Sequence, residues 1–428
     1  HDDVIVLTIT LMDNAKFRRI MREKYPIILI DEYQDTDADW IDSIKSHFLG
    51  QEGAPQFGFF GDHWQKIYGD GCGKIEHPSL TVVGVQANFR SVSTIVDCLN
   101  RMRPELPQHV VDPNEQGDVH IFHTNTWKGG RQTGGHWGGD LPSEAADRAL
   151  QMVVDRLAEE NWDLSPESTK ILMLTHRVLA SKQGYHSIPT VFTFNDSFTN
   201  KEHPHIAYFT DCLEPACEAY LSRKYGEMFR ALGSNVPAVR AQADKKKWSE
   251  AMGKLIELRD RGTVGDVVDY LLAVRRPRLP DAVERLEREL RELNPEAGEE
   301  VPRALKELGD LRAVAYQEIV ALCRYLSGHS PFETKHGVKG SEFENVLVVV
   351  GRGWNRYNFN EMLELAGQGA NIPANKQDSF ERNRNLFYVT CSRPKRRLTI
   401  LFTQQLSNVA MQTVRNWFGN DAIEALNF

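Results

Sequence analysis

The stretch from Tyr25 to Thr36, Tyr-Pro-Ile-Ile-Leu-Ile-Asp-Glu-Tyr-Gln-Asp-Thr, constrains this chain more than any other. Four consecutive apolar residues, Ile27 to Ile30, fit a short strand buried on both faces, and the chain then turns at once into acids and amides. Asp31 and Glu32 thus stand at the carboxyl end of a buried strand, the edge where open α/β sheets take their ligands. Two adjacent carboxylates there read as one that holds a hydrated Mg²⁺ and one that activates a water. The plainer alternative is a surface turn with acids in it.

With 428 residues the chain has room for two or three domains, each with its own core. Its 41% apolar and 26% charged residues are ordinary for a globular protein. The net charge of −8 gives no overall basic field, so any nucleic acid must be held by local positive charge. Six cysteines, none in a C-x-x-C pair, fit a reducing cytoplasm rather than a disulfide scaffold. The apolar runs fall short of a membrane span, no basic-then-apolar leader opens the chain, and it begins at His1 in mid-pattern, as a piece of a longer protein does.

Apolar spacing predicts helices over residues 3–22 and 38–48, a second strand over Gln56 to Phe60, a third over Leu80 to Val85, and a helix from about Val92 to Met102. Each strand runs directly into polar residues: Gly61-Asp-His-Trp-Gln-Lys-Ile-Tyr68 after the second, Ala87-Asn-Phe-Arg-Ser91 after the third. Three strand ends that all deliver polar groups point to one composite phosphate site.

At these residues a resemblance becomes specific. Asp31-Glu-Tyr-Gln-Asp-Thr36, Gly61 to Tyr68 and Asn88-Phe-Arg-Ser91 resemble motifs II, III and IV of the UvrD/Rep-type superfamily 1 DNA helicases, in the family's order. Thr334-Lys-His-Gly-Val-Lys-Gly-Ser-Glu-Phe343 resembles motif V, and Arg384-Asn-Leu-Phe-Tyr-Val-Thr-Cys-Ser-Arg393 resembles motif VI. The resemblance implies an α/β fold of two RecA-like P-loop-type lobes, the first incomplete, with an inserted helical subdomain. Residues 1–105 would be the remainder of the first lobe, 106–195 and 331–428 the two parts of the second, and 196–330 the insertion.

The intervening text supports that division. Arg103 to Asp118 is Pro-rich and reads as a linker, and Lys128 to Gly139 is glycine-rich without the G-x-x-x-x-G-K-[ST] order, so it reads as a mobile hairpin. Ser143 to Leu157 fits a helix capped by Ser143, and Lys170 to Leu174 a buried strand running into Thr175-His176-Arg177. Val283, Leu286, Leu290 and Leu293 form one helical stripe and Leu305, Leu308 and Leu311 another. Lys245-Lys-Lys247 and Arg275-Arg-Pro-Arg278 are either phosphate contacts or solvated surface. Cys212 and Cys217 with His203 and His205, and His136 alone, match no zinc spacing. Strands over 344–350 and 397–402 flank the motif VI helix, and a helix over 409–418 anchored by Trp417 and Phe418 closes the chain.

What the resemblance implies for chemistry can be assigned residue by residue. The substrate and cofactor are ATP and Mg²⁺, with Asp31 on the metal and Glu32 as the base. Gln65 senses the γ-phosphate and orients the water, Arg90 and Arg393 act as the two arginine fingers, Phe89 takes the place of the adenine-stacking tyrosine, and Glu342 approaches the ribose. Tyr68 stacks on bases, Trp64 stands with it among the strand-facing residues although it departs from the small or acidic residue usual at its place, and Thr334 and His336 face the DNA backbone. The implied partners are single-stranded DNA and duplex junctions, with other repair, replication or defence proteins and no membrane.

The largest departure is that no G-x-x-x-x-G-K-[ST] occurs: Lys74 is followed by Ile75 and Lys254 by Leu255. Only thirty residues precede Asp31, and the expectation is that the loop is missing by truncation. The leading reading is the motor core of an ATP-dependent helicase or translocase. The rival is a non-hydrolysing relative that binds nucleic acid or a protein partner. A nuclease built on Glu333-Thr-Lys335 lacks an upstream Asp partner.

Overall fold

The computed structural model describes residues 2–67, 71–134, 138–173, 183–233, 236, 239, 241–293, 301–327, 332–334, 340–351, 357–369 and 371–428. The chain divides into two units, one of residues 1–174 with 333–428 and one of residues 175–332. The architecture is mixed α/β, with parallel pairing in the sheets.

In the first unit, helices α1 (Asp2–Met12) and α2 (Ala15–Lys24) lead into β1 (Ile27–Ile30), which pairs in parallel with β2 (Gln56–Phe59). Between them runs α3 (Ala38–His47), started by Asp37, whose carboxylate accepts the Trp40 N–H at 2.9 Å. Ile41, Ile44 and Phe48 meet Ile30 and Met12 in a small core. The expectation that β1 is buried on both faces is corrected: Ile27 and Leu29 are 60% and 65% exposed. The strand pleat sends alternate residues to opposite faces, and only the face of Ile28 and Ile30 is packed into this core. The expected strand over 80–85 does not form either. Val82, Val83 and Val85 are exposed, and pairing begins only at β3 (Ala87–Asn88), which lies parallel to β4 (His109–Val110). A β-branched run needs a partner strand before its propensity counts.

The larger sheet has six strands in the order β10-β5-β9-β8-β6-β7. These are β5 (Asp118–His123), β6 (Thr169–Met173), β7 (Phe332–Thr334), β8 (Phe343–Val350), β9 (Pro394–Phe402) and β10 (Ile423–Ala425). Central β8 and β9 run parallel, and Val346, Leu347, Leu398 and Ile400 are wholly buried, as strands covered on both faces must be. Their core is shared with α4 (Ser93–Met102) and with the C-terminal helices, among them Leu99, Leu386, Phe387 and Phe418. Helix α5 (Ser143–Glu159) has Pro142 at its N-cap and Ser143 as its first helical residue, one place on from the expected cap. The glycine-rich segment is tied down: the Arg131 guanidinium donates to the carbonyls of Thr124, Gly139 and Thr403. Its His136 lies outside the described residues, as does His176.

The described part of the second unit is helical throughout residues 204–221, 242–261, 264–274, 281–292, 303–313 and 316–326. Buried Glu214, at the start of α6 (Glu214–Leu221), is clasped by Arg259 of α7 (Gln242–Arg261), with contacts of 2.8 to 3.1 Å. On α8 (Asp281–Glu292) the expected apolar stripe is interrupted: the buried places are taken by Val283 and Glu287, and Glu287 accepts from His205 Nε2 at 2.9 Å and pairs with Arg312. Lys245, Lys246 and Lys247 are exposed on α7. Among the described residues no group of three His, Cys, Asp or Glu is placed to hold a metal.

His203 packs between Phe192 and His205, with ring centroids 5.2 and 5.3 Å away. Burial pushes its pKa down to about 4, with His205 adding to the shift and Glu307 opposing it. An unfolded histidine titrates near pH 6.5, so the unfolded chain takes this proton first. The stability tied to a neutral His203 is present above about pH 6.5 and lost as pH falls from there toward 4, by up to about 3 kcal/mol. The urea midpoint is expected to fall between pH 7 and pH 4.5 by more than it does in His203→Gln. Parallel curves for the two proteins would show a freely titrating ring.

Candidate functional site

Past Ile30 the chain turns sharply. Glu32 takes left-handed angles, φ 47 and ψ 42, and opens a single 3₁₀ turn over Tyr33–Asp35. Its N–H donates to Asp31 Oδ1 at 2.9 Å, and both carboxylates are exposed. A left-handed glutamate costs free energy and persists only where its surroundings hold it. Fully buried Gln34 supplies part of that hold: its Nε2 donates to the Glu32 carboxylate while its Oε1 accepts the Asp62 N–H at 3.0 Å. One amide therefore ties the ends of β1 and β2 together. The approach is so close that a Cβ on Gly61 would lie 2.2 Å from Gln34 Oε1.

Asp62 caps the next turn, His63–Gln65, by accepting the Trp64 N–H at 3.0 Å. It also accepts from Arg103 Nη1 at 2.7 and 2.8 Å. Arg103 is buried, so the Pro-rich segment taken for a plain linker carries a structural cation. Trp64, expected among the strand-facing residues, is only 6% exposed. Arg384 and Arg103 lie over its indole, 3.9 and 4.9 Å from the ring centroid, with Tyr388 edge-on at 5.1 Å. Two guanidiniums over one apolar ring make it a core residue that no base can reach.

The segments that carry Arg90, Glu342 and Arg393 meet at the start of β8 and β9. The Phe343 N–H donates to the Arg393 carbonyl at 3.1 Å, and Ser91 Oγ and the Val92 N–H bond the carbonyls of Pro394 and Lys395. Asn88 Oδ1 accepts the N–H of Arg90 and of Ser91, both at 2.9 Å, and so shapes the turn that carries Arg90. Arg90 then donates to Glu342 at 3.2 Å and to the Ser392 carbonyl at 3.1 Å. Glu342 also pairs with Lys395 at 2.6 Å, and the two cations hold its carboxyl below the usual range.

Arg393 follows helix Gln377–Cys391 and is 1% exposed. Its guanidinium reaches the carbonyls of Val389 (3.0 Å) and Ser341 (3.3 Å) and, at 3.4 Å, Gln65 Oε1. Burial lowers its pKa to about 10, with nearby Arg90 adding and Glu32 opposing, so it stays charged at neutral pH. Arg393 is thus turned in toward Gln65. A cavity of about 330 Å³ opens beside these groups, lined by Gln65, Asn88, Arg90, Gln108, Glu342 and Tyr388, with Phe89 at its rim and 83% exposed.

The structure therefore brings together two bonded pairs, Arg90 with Glu342 and Arg393 with Gln65, linked through the backbone of Ser392 and Phe343, and Glu32 joins them through Gln34 and the Asp62 turn. Tyr68 and His336 lie outside the described residues, and of Thr334 only its place at the end of β7 is described. Sequence reasoning passed over Gln34, Arg103 and Asn385. Gln34 had a usable signal, an amide inside the acidic strand-end block. Arg103 had none, because nothing in a proline-rich stretch marks a buried ion pair.

A mixed α/β chain with this strand-end cluster meets known proteins in two places. Residues 1–75 match the UvrD/REP helicase N-terminal domain, which bears out the resemblance read from the motifs. Gabija protein GajB of Bacillus cereus (strain HuB5-5) is 24% identical over 455 residues, a match that covers 94% of this chain and 62% of the relative. The chain thus spans less than two thirds of that relative's length. No helix among the described residues is long and apolar enough to cross a membrane.

Proposed function

We propose that this chain is the motor core of an ATP-dependent helicase or translocase acting on single-stranded DNA, built on two RecA-like lobes in a cytoplasmic setting. The observation that carries the reading is the Gln65–Arg393 hydrogen bond. It joins a neutral amide to a charged fork beside Arg90, the pairing of a water-orienting group with transition-state cations that phosphoryl transfer requires. Glu32 is the base, held in place by Gln34, and Asp31 is the residue to hold Mg²⁺, which would supply positive charge on the β- and γ-phosphates. Phe89, at the cavity rim, offers a ring face for the adenine. By analogy with the GajB relative, a Gabija-type setting is the favoured context.

The same residues leave room for a binding module without hydrolysis. Arg90 is already engaged by Glu342 and Ser392, and no G-x-x-x-x-G-K-[ST] occurs in these 428 residues. The 428-residue chain alone is accordingly expected to release phosphate at no useful rate, because positioning on the phosphates is most of the catalysis. The test is DNA-stimulated phosphate release by the protein in its natural reading frame, beside Glu32→Gln. Release that Glu32→Gln abolishes supports the motor. Strand binding with no release in the unsubstituted protein supports the module.

A further inference from the structure

We infer that Asn385 is a positioning residue for Gln65, a clamp by which the helix that presents Arg393 also fixes the water-orienting amide. The inference rests on the hydrolytic reading above. Asn385 is buried on helix Gln377–Cys391, and its single amide nitrogen donates to the carbonyls of both His63 and Lys66, each at 3.1 Å. Those two residues straddle Gln65. Both N–H groups of one nitrogen are therefore spent on one turn, on either side of the residue the turn displays. The carbonyl end of the same side chain accepts from Arg384 at 2.9 and 3.2 Å, and Arg384 stacks on Trp64 of that turn.

The start of the turn is held by Asp62, through its cap, Arg103 and Gln34, and by buried Trp64. Past Trp64 the backbone contacts are short-range, Gln65 N–H to Asp62 and Lys66 N–H to His63, so Asn385 is the side chain that takes carbonyls on both sides of Gln65. Asn385 and Val389 stand one turn apart on one line of the helix, and Arg393 follows two residues past its end. Arg393 Nε bonds the Val389 carbonyl on that line. A shift of the helix thus carries the finger and the amide together, so their mutual geometry survives any movement of the helix as a whole. The residue type is demanding. An aspartate offers no donor to two carbonyls, and an alanine removes the Asn385 donor from the Lys66 carbonyl and leaves the His63 carbonyl only the Lys66 N–H.

The test uses Asn385→Ala and the near-isosteric Asn385→Asp in the protein in its natural reading frame. Backbone hydrogen exchange should speed up over residues 61–67 and stay unchanged in β8 and β9. DNA-stimulated kcat should fall roughly 10- to 100-fold, the size of effect expected from misplacing a reacting group by about an ångström, with the KM for nucleotide within about twofold. Asn385→Ala added to Gln65→Ala should cost little more. Unchanged kcat, faster exchange spread over the whole unit, or failure of both variants to fold would each overturn the inference by making the amide idle or merely structural. An unsubstituted protein that hydrolyses no nucleotide would remove the reading beneath it, and that outcome is told apart because it needs no variant.

Discussion

Replacing Arg393 by alanine is expected to slow DNA-stimulated hydrolysis by roughly 10³-fold or more while single-strand affinity changes little. The magnitude follows from what a second cation does for a dispersed phosphoryl charge. Arg393 is nearly inaccessible, yet its fork reaches the Gln65 amide, so it stands where such charge would develop. The same burial complicates the experiment, since the alanine also takes one donor from the Ser341 carbonyl and one from the Val389 carbonyl, which keeps only those of Ser392. Arg393→Lys separates the effects: it keeps a charge and loses the planar fork. Hydrolysis lost in both variants with melting temperature kept in the lysine form marks a finger. Equal loss of hydrolysis, binding and melting temperature marks a structural residue.

The second large effect lies in the helical unit. Breaking the Glu214–Arg259 pair by Arg259→Ala or Glu214→Ala is expected to destabilise the chain by about 3–5 kcal/mol, because the surviving partner keeps its charge away from water. Glu214 is wholly buried and makes three contacts with one guanidinium. Chemical denaturation at pH 7 reads the change, and Glu214→Leu with Arg259→Met should restore most of it, since a matched apolar pair owes nothing to solvation. A single alanine that costs under about 1 kcal/mol would mean that water reaches the pair.

Much of the fold was legible from periodicity. The helices over 38–47, 93–102, 143–159 and 408–418 and the strands at β5, β6, β8 and β9 follow apolar spacings that only one kind of element satisfies. The failures share a cause, which is that spacing describes a segment and not its neighbours. Ile27 to Ile30 reads as doubly buried, but whether its second face is covered depends on other segments. Val82 to Val85 has strand propensity and no ladder. The Val283 stripe hides Glu287, because a charged residue can occupy a core place only when His205 and Arg312 arrive from elsewhere. For the candidate site, residue types carried the chemistry and left out its supports. Asp31, Glu32, Gln65, Arg90 and Arg393 could be named because they would touch substrate. Gln34, Arg103 and Asn385 touch only protein, and their worth is visible once distances are known.

The six-stranded sheet has two unlike ends. At one, Glu342 and Arg393 are the residues immediately before β8 and β9, whose first register pair is Phe343 with Pro394. At the other, the chain leaves β5 and β9 through Thr124 and Thr403, both held by Arg131 of the glycine-rich segment. Lengthening a connection at that second end moves nothing that bears on Gln65 or Arg90. One residue added before Phe343 or Pro394 would rotate Glu342 or Arg393 to the opposite face of the strand. The molecule therefore has a permissive rim and a forbidden one: a fluorescent or affinity insertion belongs at Gly130, where a Cβ meets nothing within 4 Å, and not at Gly129, where it would meet the Trp127 ring at 2.5 Å.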